Sequence, residues 1–436
     1  MIAVTTSPRG RVLEVGAMGT PLAINGERLL SSVHALAELG AYVDERTGLV
    51  GVNRLALTDA DRAGRERVKG WFEAAGLEVR VDRVGNVYGR RAGAEALAPV
   101  IAGSHIDSVP TGGRYDGALG VLAALEVVRT LNDRGVTTRR PLEIAFFTDE
   151  EGARFGTDML GSAVACGRIP LADAYALTDE TGVTVRDELA RIGFLGEHDE
   201  RVSPPRAYVE LHIEQGPVLA DAGLELGVVT GVQAISWLEL TLVGKFAHAG
   251  TTPMTLRRDA GLVAARVNVR LHEMATSGRY GAQMRATMGR VKPVPNRVNI
   301  VPGRVICTVD LRNPEDDAMA AAEAELTAFL EELSKQSGVS IAVKQTAKTA
   351  RVRFDAGVQS IIAGHARAAG LSHAPIQSGA GHDAQEFAAI CPTGMIFVPG
   401  EFDGISHNPR ERSTPESCIH GANILLRTLL ELADAA

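Results

Sequence analysis

Residues 102–131 read AGSHIDSVPTGGRYDGALGVLAALEVVRTL. The short apolar run at 99–102 predicts a buried strand, and Ala118, Leu119, Leu122, Leu125 and Val128 recur every three or four residues, as one face of a helix does. Between the two lie His105, Asp107, Asp116 and a glycine-rich turn. Polar side chains placed where a strand gives way to a helix stand on the edge at which α/β proteins bind ligands. One histidine and two aspartates at that edge are a natural start for a metal site.

Outward from this stretch the same arrangement repeats. Residues 142–147, LEIAFF, predict a second buried strand that runs directly into Thr148-Asp149-Glu150-Glu151-Gly152. Three adjacent acids there raise one another's pKa and resist burial unless a cation is near. A solvated acidic loop is the plainer reading, and the strand context argues against it. Two neighbouring glutamates also allow one to bind a metal while the other carries protons. Residues 207–213 predict a third strand, ending in His212-Ile213-Glu214-Gln215-Gly216-Pro217. A lone strand histidine is commonly a core residue; beside a carboxylate and a terminating Gly-Pro, His212 reads as a ligand. Two further clusters follow, Gly379 to Ala384 (GAGHDA) and Gly404 to Pro409 (GISHNP), the second after a short strand at 395–398.

The remaining segments complete an α/β fold of a mixed sheet flanked by helices. Residues 25–76 read as helical, 77–88 as an alternating strand turned at 84–86, 179–205 as a charged, turn-rich region, 358–369 as a helix and 416–432 as the closing helix. Between 226 and 345 the pattern changes to strand, helix, strand, strand, helix, strand, which predicts an α/β sandwich of its own. The chain therefore divides into one domain at 1–225 and 346–436 and a second, inserted at 226–345.

Composition narrows the function. With 436 residues, a formal net charge of −8 and 4% aromatic residues, the chain offers neither a basic face nor stacking aromatics for nucleic acid, so small molecules are the expected partners. No run approaches the roughly 18 apolar residues of a membrane span, and the N-terminal MIAVTTSPRGRVLEVG has no sustained apolar core, so a cytoplasmic protein is expected. Cys166, Cys307, Cys391 and Cys418 are scattered and read as buried free thiols.

The polar residues collected at strand ends are His105, Asp107, Asp116, Glu150, Glu151, His212, His382, Asp383 and His407. Imidazole with carboxylate suits manganese, cobalt, nickel or zinc, and three histidines with two carboxylates are enough for two divalent metal ions sharing a bridging carboxylate. A water between two such ions loses a proton near neutral pH, and Glu150 is placed to take that proton to a leaving nitrogen. Asp107, two residues from His105, is placed to accept the other ring N–H.

GSHIDSVPTGGRYDG, FTDEEGARFG, ELHIEQGPVL, GKFAHAGTTPMTLRRDA, NRVNIVPG, TVDLRNP, SGAGHDA and GISHNP occur in this order between residues 103 and 409. Together they resemble the M20 metallopeptidase superfamily, and within it the amidase branch of N-carbamoyl-L-amino-acid hydrolases, allantoate amidohydrolases and β-ureidopropionases. The resemblance implies that Asp116 bridges two metals, with His105 and His407 completing one site and Glu151 and His212 the other, and that Glu150 is the general base and acid. It implies substrate contacts at Gln215, His248, Asn299 and Arg312, the last as a bidentate fork for a carboxylate. His248 and Asn299 fall in the inserted domain, which implies a homodimer joined through that domain, acting also as a lid, with the histidine contributed by the neighbouring subunit. Gly381 is a candidate backbone contact to substrate, and His382 and Asp383 read as structural rather than as ligands.

The function expected is a dimetal hydrolase that cleaves the carbamoyl C–N bond of an N-carbamoyl-L-amino acid. Allantoate hydrolysis is the nearest rival. A noncatalytic metal-dependent binding protein is the rival from another class, and Glu150 argues against it, because a binding protein needs no proton carrier.

Overall fold

The computed structural model describes residues 22–435; the N-terminal segment read for targeting lies outside the described residues. Its larger sheet has nine strands among them, in the order Val352–Arg353, Leu226–Val232, Thr393–Val398, Ala207–Ile213, Val100–His105, Leu142–Phe147, Val87–Arg91 and Glu78–Val81, with His373–Ser378 also paired to Leu226–Val232. The four central strands, from Thr393–Val398 to Leu142–Phe147, run parallel to their neighbours in that group, and antiparallel pairs flank them. Parallel neighbours place their C-terminal ends at one edge, so the polar segments that follow them converge there.

Both faces of this sheet are covered, which is why its central strands are apolar at nearly every position rather than alternating. Along Val100–His105, Val100 and Ala102 join the core under helices Gly26–Ala37, Ala118–Asp133 and Pro415–Asp434, while Ile101 joins the core on the other face with Phe147, Tyr208 and Phe397.

A separate core belongs to a five-stranded sheet of Arg285–Thr287, Arg304–Asn313, Ala234–Val243 and Ser340–Thr349, with Val291–Val294 paired to Arg304–Asn313. Helices Ala260–Thr276 and Asp316–Ser337 cover one face. On Arg304–Asn313 the odd residues Val305, Cys307, Val309 and Leu311 are buried beneath them, so Asp310 and Arg312 stand on the uncovered face.

Three segments depart from the sequence reading. Residues 25–76 are not helical throughout: Ala41–Val43 and Val50–Val52 form an antiparallel ribbon between two helices, each strand too short for a periodic signal. The charged region 179–205 contains the helix Val185–Ile192, capped by Thr184 accepting from the Asp187 N–H. The boundary at 226 falls inside the larger sheet, because Leu226–Val232 pairs with Thr393–Val398 and the five-stranded sheet begins at Ala234.

Candidate metal centre

The C-terminal ends of the parallel strands carry the site. His105 is the last residue of its strand, Glu150 and Glu151 follow Phe147, His212 is the penultimate residue of Ala207–Ile213, and His407 lies in the loop after Val398. Asp116 stands two residues before helix Ala118–Asp133. Gly117 between them has φ +61°, and a Cβ there would lie 2.4 Å from His105 Nε2, so the close passage of this turn over the imidazole requires glycine.

Two groups of ligand atoms share Asp116. His105 Nε2 and His212 Nε2 lie 3.6 Å and 3.2 Å from Asp116 Oδ1. His407 Nε2 lies 3.4 Å from Asp116 Oδ2 and 3.2 Å from Glu151 Oε2. The geometry therefore pairs His105 with His212 and Glu151 with His407. This corrects the pairing of His105 with His407 expected from the resemblance: the strands bearing His105 and His212 are adjacent in the sheet, whereas His407 arrives from the opposite side of Asp116 on a loop.

The ring nitrogens are set for metal binding. His105 Nδ1 is 3.0 Å from the Asp107 carbonyl and His212 Nδ1 is 2.9 Å from the Ile213 carbonyl, so each Nδ1 carries a hydrogen and each Nε2 is the nitrogen turned toward Asp116. The Gly117 N–H also lies against His212 Nε2, at 3.1 Å. Asp107 departs from expectation here. Its carbonyl, not its carboxylate, accepts from His105, while the carboxylate accepts the backbone N–H groups of Glu150 and Glu151, each at 3.3 Å, and so fixes the two glutamates.

The electrostatics ask for cations. Burial alone would raise the Asp116 carboxyl, but hydrogen bonds from His105, His212 and His407 hold it well below the usual carboxylate range. Burial alone would lower His105; the carboxylates of Glu150, Asp116 and Asp107 push it well above the usual histidine range. His407, bonded to Asp116 and Glu151, is pushed up to about 10. Protons on the imidazoles thus balance carboxylates that divalent ions would balance when bound. Glu151 Oε1 is buried without a partner, as a ligand atom awaiting a cation is. This donor set of imidazole nitrogens and carboxylate oxygens fits divalent metal ions.

Glu150 stands in this group without belonging to either set of ligand atoms. Its Oε2 lies 3.5 Å from His105 Nε2, and burial together with Asp383, Glu151 and Asp107 raises its pKa well above the usual range.

These residues line a cavity of about 140 Å³ together with Gln215, Arg312, Gly381 and His382. Arg312 reaches into it from the five-stranded sheet. Its Nε and Nη2 are bound by Asp310, and Nη1 donates to the Gly379 carbonyl at 2.7 Å. Gln215 Nε2 donates to Asp116 Oδ2 at 2.8 Å. A Cβ at Gly381 would lie 3.3 Å from the Met159 side chain. His382 bonds Ser378 Oγ at 3.0 Å and Asp383 accepts from Ser162 Oγ at 2.5 Å, both buried and apart from the two ligand groups that share Asp116. His248 and Asn299 lie together on the ribbon of Ala247–His248 and Ile300–Val301, where the Ala249 N–H donates to the Asn299 carbonyl, but both are exposed and neither lines the cavity of its own chain.

Sequence reasoning missed a second set of residues at this site. Glu411 accepts the N–H groups of Tyr115 and Asp116 at 2.9 Å and 3.1 Å and also accepts from Ser406 Oγ, which lies 3.0 Å from Asp116 Oδ2. Ile235, Trp237 and Asp158 complete the cavity wall. The signal for Glu411 was present in HNPRE, four residues after His407.

No helix among the described residues is long and apolar enough to cross a membrane. The chain is 40% identical over 421 residues to an N-carbamoyl-L-amino-acid amidohydrolase of Rhizobium meliloti, covering 96% of this chain and 99% of that protein. It is 35% identical to a ureidoglycolate hydrolase of Arabidopsis thaliana, covering 91% and 85%. A crystal structure of a hydantoinase/carbamoylase-family amidase from Burkholderia vietnamiensis superposes with a TM-score of 0.87 at 43% identity, covering 96% of this chain and 99% of that one. Residues 101–431 match Peptidase family M20/M25/M40. With the strand-end ligand groups lying inside that match, the chain belongs to this family, as a hydrolase of its amidase branch.

Proposed function

We propose that this protein cleaves the carbamoyl C–N bond of N-carbamoyl-L-amino acids, giving the L-amino acid, ammonia and carbon dioxide. The observation that carries this reading is that a proton-carrying glutamate, the two ligand groups sharing Asp116, and Arg312 line one cavity. Two divalent ions of manganese, cobalt, nickel or zinc, held by His105, Asp116 and His212 and by Asp116, Glu151 and His407, would supply polarisation of the carbonyl and acidification of water. The protein supplies the rest. Asp310 occupies the Nε–Nη2 edge of Arg312 and the Gly379 carbonyl takes one Nη1 hydrogen, leaving one hydrogen on each of Nη1 and Nη2 to grip the substrate carboxylate and aim the ureido carbon at the ligand groups. Glu150 accepts a proton from the attacking water and delivers it to the amino-acid nitrogen as the C–N bond breaks. The carbamate released then decomposes to ammonia and carbon dioxide.

In the same reading the chain is a cytoplasmic homodimer joined through the inserted lid domain, and His248 and Asn299 complete the cavity of the neighbouring subunit. Neither residue lines the cavity of its own chain, which supports this arrangement. The relatives named for ureidoglycolate hydrolysis make ureido acids of that kind the second reading. The deciding assay loads metal-stripped protein with each of the four metals and follows ammonia and free amino acid from N-carbamoyl-L-amino acids, ureidoglycolate and allantoate. Turnover of N-carbamoyl-L-amino acids supports the proposal, and turnover of ureidoglycolate or allantoate alone overturns it.

A further inference from the structure

The cavity wall contributed by the five-stranded sheet carries more than Arg312. In the antiparallel register of Arg304–Asn313 against Ala234–Val243, Arg312 lies opposite Ile235, and Asp310, which grips Arg312, lies opposite Trp237. Directly opposed residues have Cβ atoms about 4.5–5.5 Å apart and share a face. Ile235 and Trp237 both line the cavity. Beside the guanidinium there is thus an aliphatic side chain and an indole. Both side chains belong to the wall that also presents the guanidinium.

We propose that Ile235 and Trp237 form the side-chain subsite next to Arg312 and select N-carbamoyl-L-amino acids with a large apolar side chain. The inference rests on the carbamoyl-hydrolase reading. A carboxylate held by Arg312 fixes the α-carbon one bond away, within reach of the side chains opposite that arginine and its partner Asp310. Ile235 is already buried and Trp237 half-buried, so the apolar surface left to cover at this wall is mainly the indole's, and it favours a substituent that removes it from water. The facing wall competes: Asp158 also lines the cavity, near Gly381, and a carboxylate there favours a small α-hydroxyl over a hydrocarbon.

The test uses the metal-loaded full chain with N-carbamoyl-L-phenylalanine, N-carbamoyl-L-methionine, N-carbamoylglycine and ureidoglycolate. Because hydrophobic-pocket contacts discriminate by about 10–200-fold, kcat/KM for the two large substrates is expected to exceed that for N-carbamoylglycine by at least about tenfold. Trp237→Ala removes most of that advantage, leaving N-carbamoylglycine within about threefold. Trp237→Phe keeps most of it, since the ring remains. Trp237 and Trp71 are the two tryptophans of the chain, so binding without chemistry is read separately: in a Trp71→Phe, Glu150→Gln background, N-carbamoyl-L-phenylalanine shifts the Trp237 emission. Equal loss on every substrate in Trp237→Ala, a flat side-chain profile, or no change in emission overturns the subsite while leaving carbamoyl hydrolysis intact. A preference for ureidoglycolate that disappears in Asp158→Asn assigns selectivity to the facing wall and overturns it too. Failure to hydrolyse any N-carbamoyl-L-amino acid overturns the carbamoyl reading itself.

Discussion

Glu411 accepts the backbone N–H of Asp116 at 3.1 Å, across 295 residues of sequence, and through Ser406 touches the Asp116 carboxylate as well. Asp116 is the residue both ligand groups share, so its orientation sets the spacing of the whole centre. Removing the Glu411 carboxylate leaves the Tyr115 and Asp116 N–H groups unpaired and loosens the hold on the carboxylate common to both groups. Outer partners of metal ligands are worth about 10–100-fold in metal affinity. Glu411→Ala is expected to lower divalent-metal affinity by that order, and Glu411→Gln, which keeps an acceptor oxygen, by less. Isothermal titration of the metal-free proteins with manganese or zinc measures this directly. Unchanged affinity in Glu411→Ala would assign the residue to packing alone.

Glu150 is held by the Asp107 carboxylate through its backbone N–H and sits outside both ligand groups. Glu150→Gln keeps volume and removes the carboxylate proposed to carry the proton. Turnover is expected to fall by about 10²–10⁴-fold, the usual worth of general acid–base catalysis, while metal content by elemental analysis stays at the unmutated level. Loss of metal in this variant would make Glu150 a ligand instead.

The strand ends were legible because their chemistry is written in consecutive residues. His105 with Asp107, and Glu150 with Glu151, each follow an apolar run, and a linear pattern finds them. What escaped is what only the fold brings together. Glu411 meets Asp116 from the far end of the chain, and Trp237 enters the wall because the antiparallel register sets it opposite Asp310. The pairing of His105 with His212 depends on which strands are neighbours, information that no single motif holds. Asp107 was placed beside His105 correctly in sequence, yet a two-residue spacing does not reveal whether carbonyl or carboxylate faces the ring.

Asp310 and Arg312 are two residues apart on one strand and on one face, and three of the hydrogen bonds of the arginine go to this aspartate. If the Asp310 carboxylate orients the fork for substrate, Asp310→Asn leaves the charge of Arg312 in place but loosens its aim. KM for an N-carbamoyl-L-amino acid is expected to rise by about tenfold with kcat changed far less, the pattern of lost uniform binding. Arg312→Lys, which cannot form a bidentate pair, is expected to raise KM further. An effect on kcat alone would place Asp310 outside carboxylate binding.

Arg54 is fully buried and donates to the carbonyls of Ile106, Leu36 and Leu39 at 2.6, 3.0 and 2.8 Å. Burial pushes its guanidinium down to about 10, against the pull of Asp61 and Asp107. It ties helix Gly26–Ala37 to Ile106, between His105 at the strand end and Asp107 in the loop. Arg54→Met strands the Ile106 and Leu39 carbonyls, Leu36 keeping the Leu39 N–H, and at about 1–3 kcal/mol for each buried unsatisfied group a loss of roughly 2 kcal/mol or more is expected. A thermal melt of the metal-free variant several degrees below the parent checks it, and an unshifted melt would show that water replaces the guanidinium.

Proton release on metal binding follows from the histidines. In the metal-free protein His407 is pushed up to about 10 by its bonds to Asp116 and Glu151, while an unfolded-chain histidine titrates near 6.5. A folded pKa above the unfolded value means that the stabilisation from this ion pair is complete below about 6.5 and disappears as pH rises through about 10. His105 and His212 are raised in the same direction, against burial, by the carboxylates around them. A divalent ion can take these nitrogens only by expelling their protons. At pH 7.5, calorimetric titration in buffers of different ionisation enthalpy is therefore expected to show release of at least about one proton per site, with apparent affinity rising about tenfold per pH unit for each proton released. The metal-free protein is expected to lose thermal stability between about pH 6.5 and 10, a loss that the metal-loaded protein does not share. Metal binding with no buffer dependence of its heat would mean that the imidazoles are already neutral and that the carboxylates are balanced in another way.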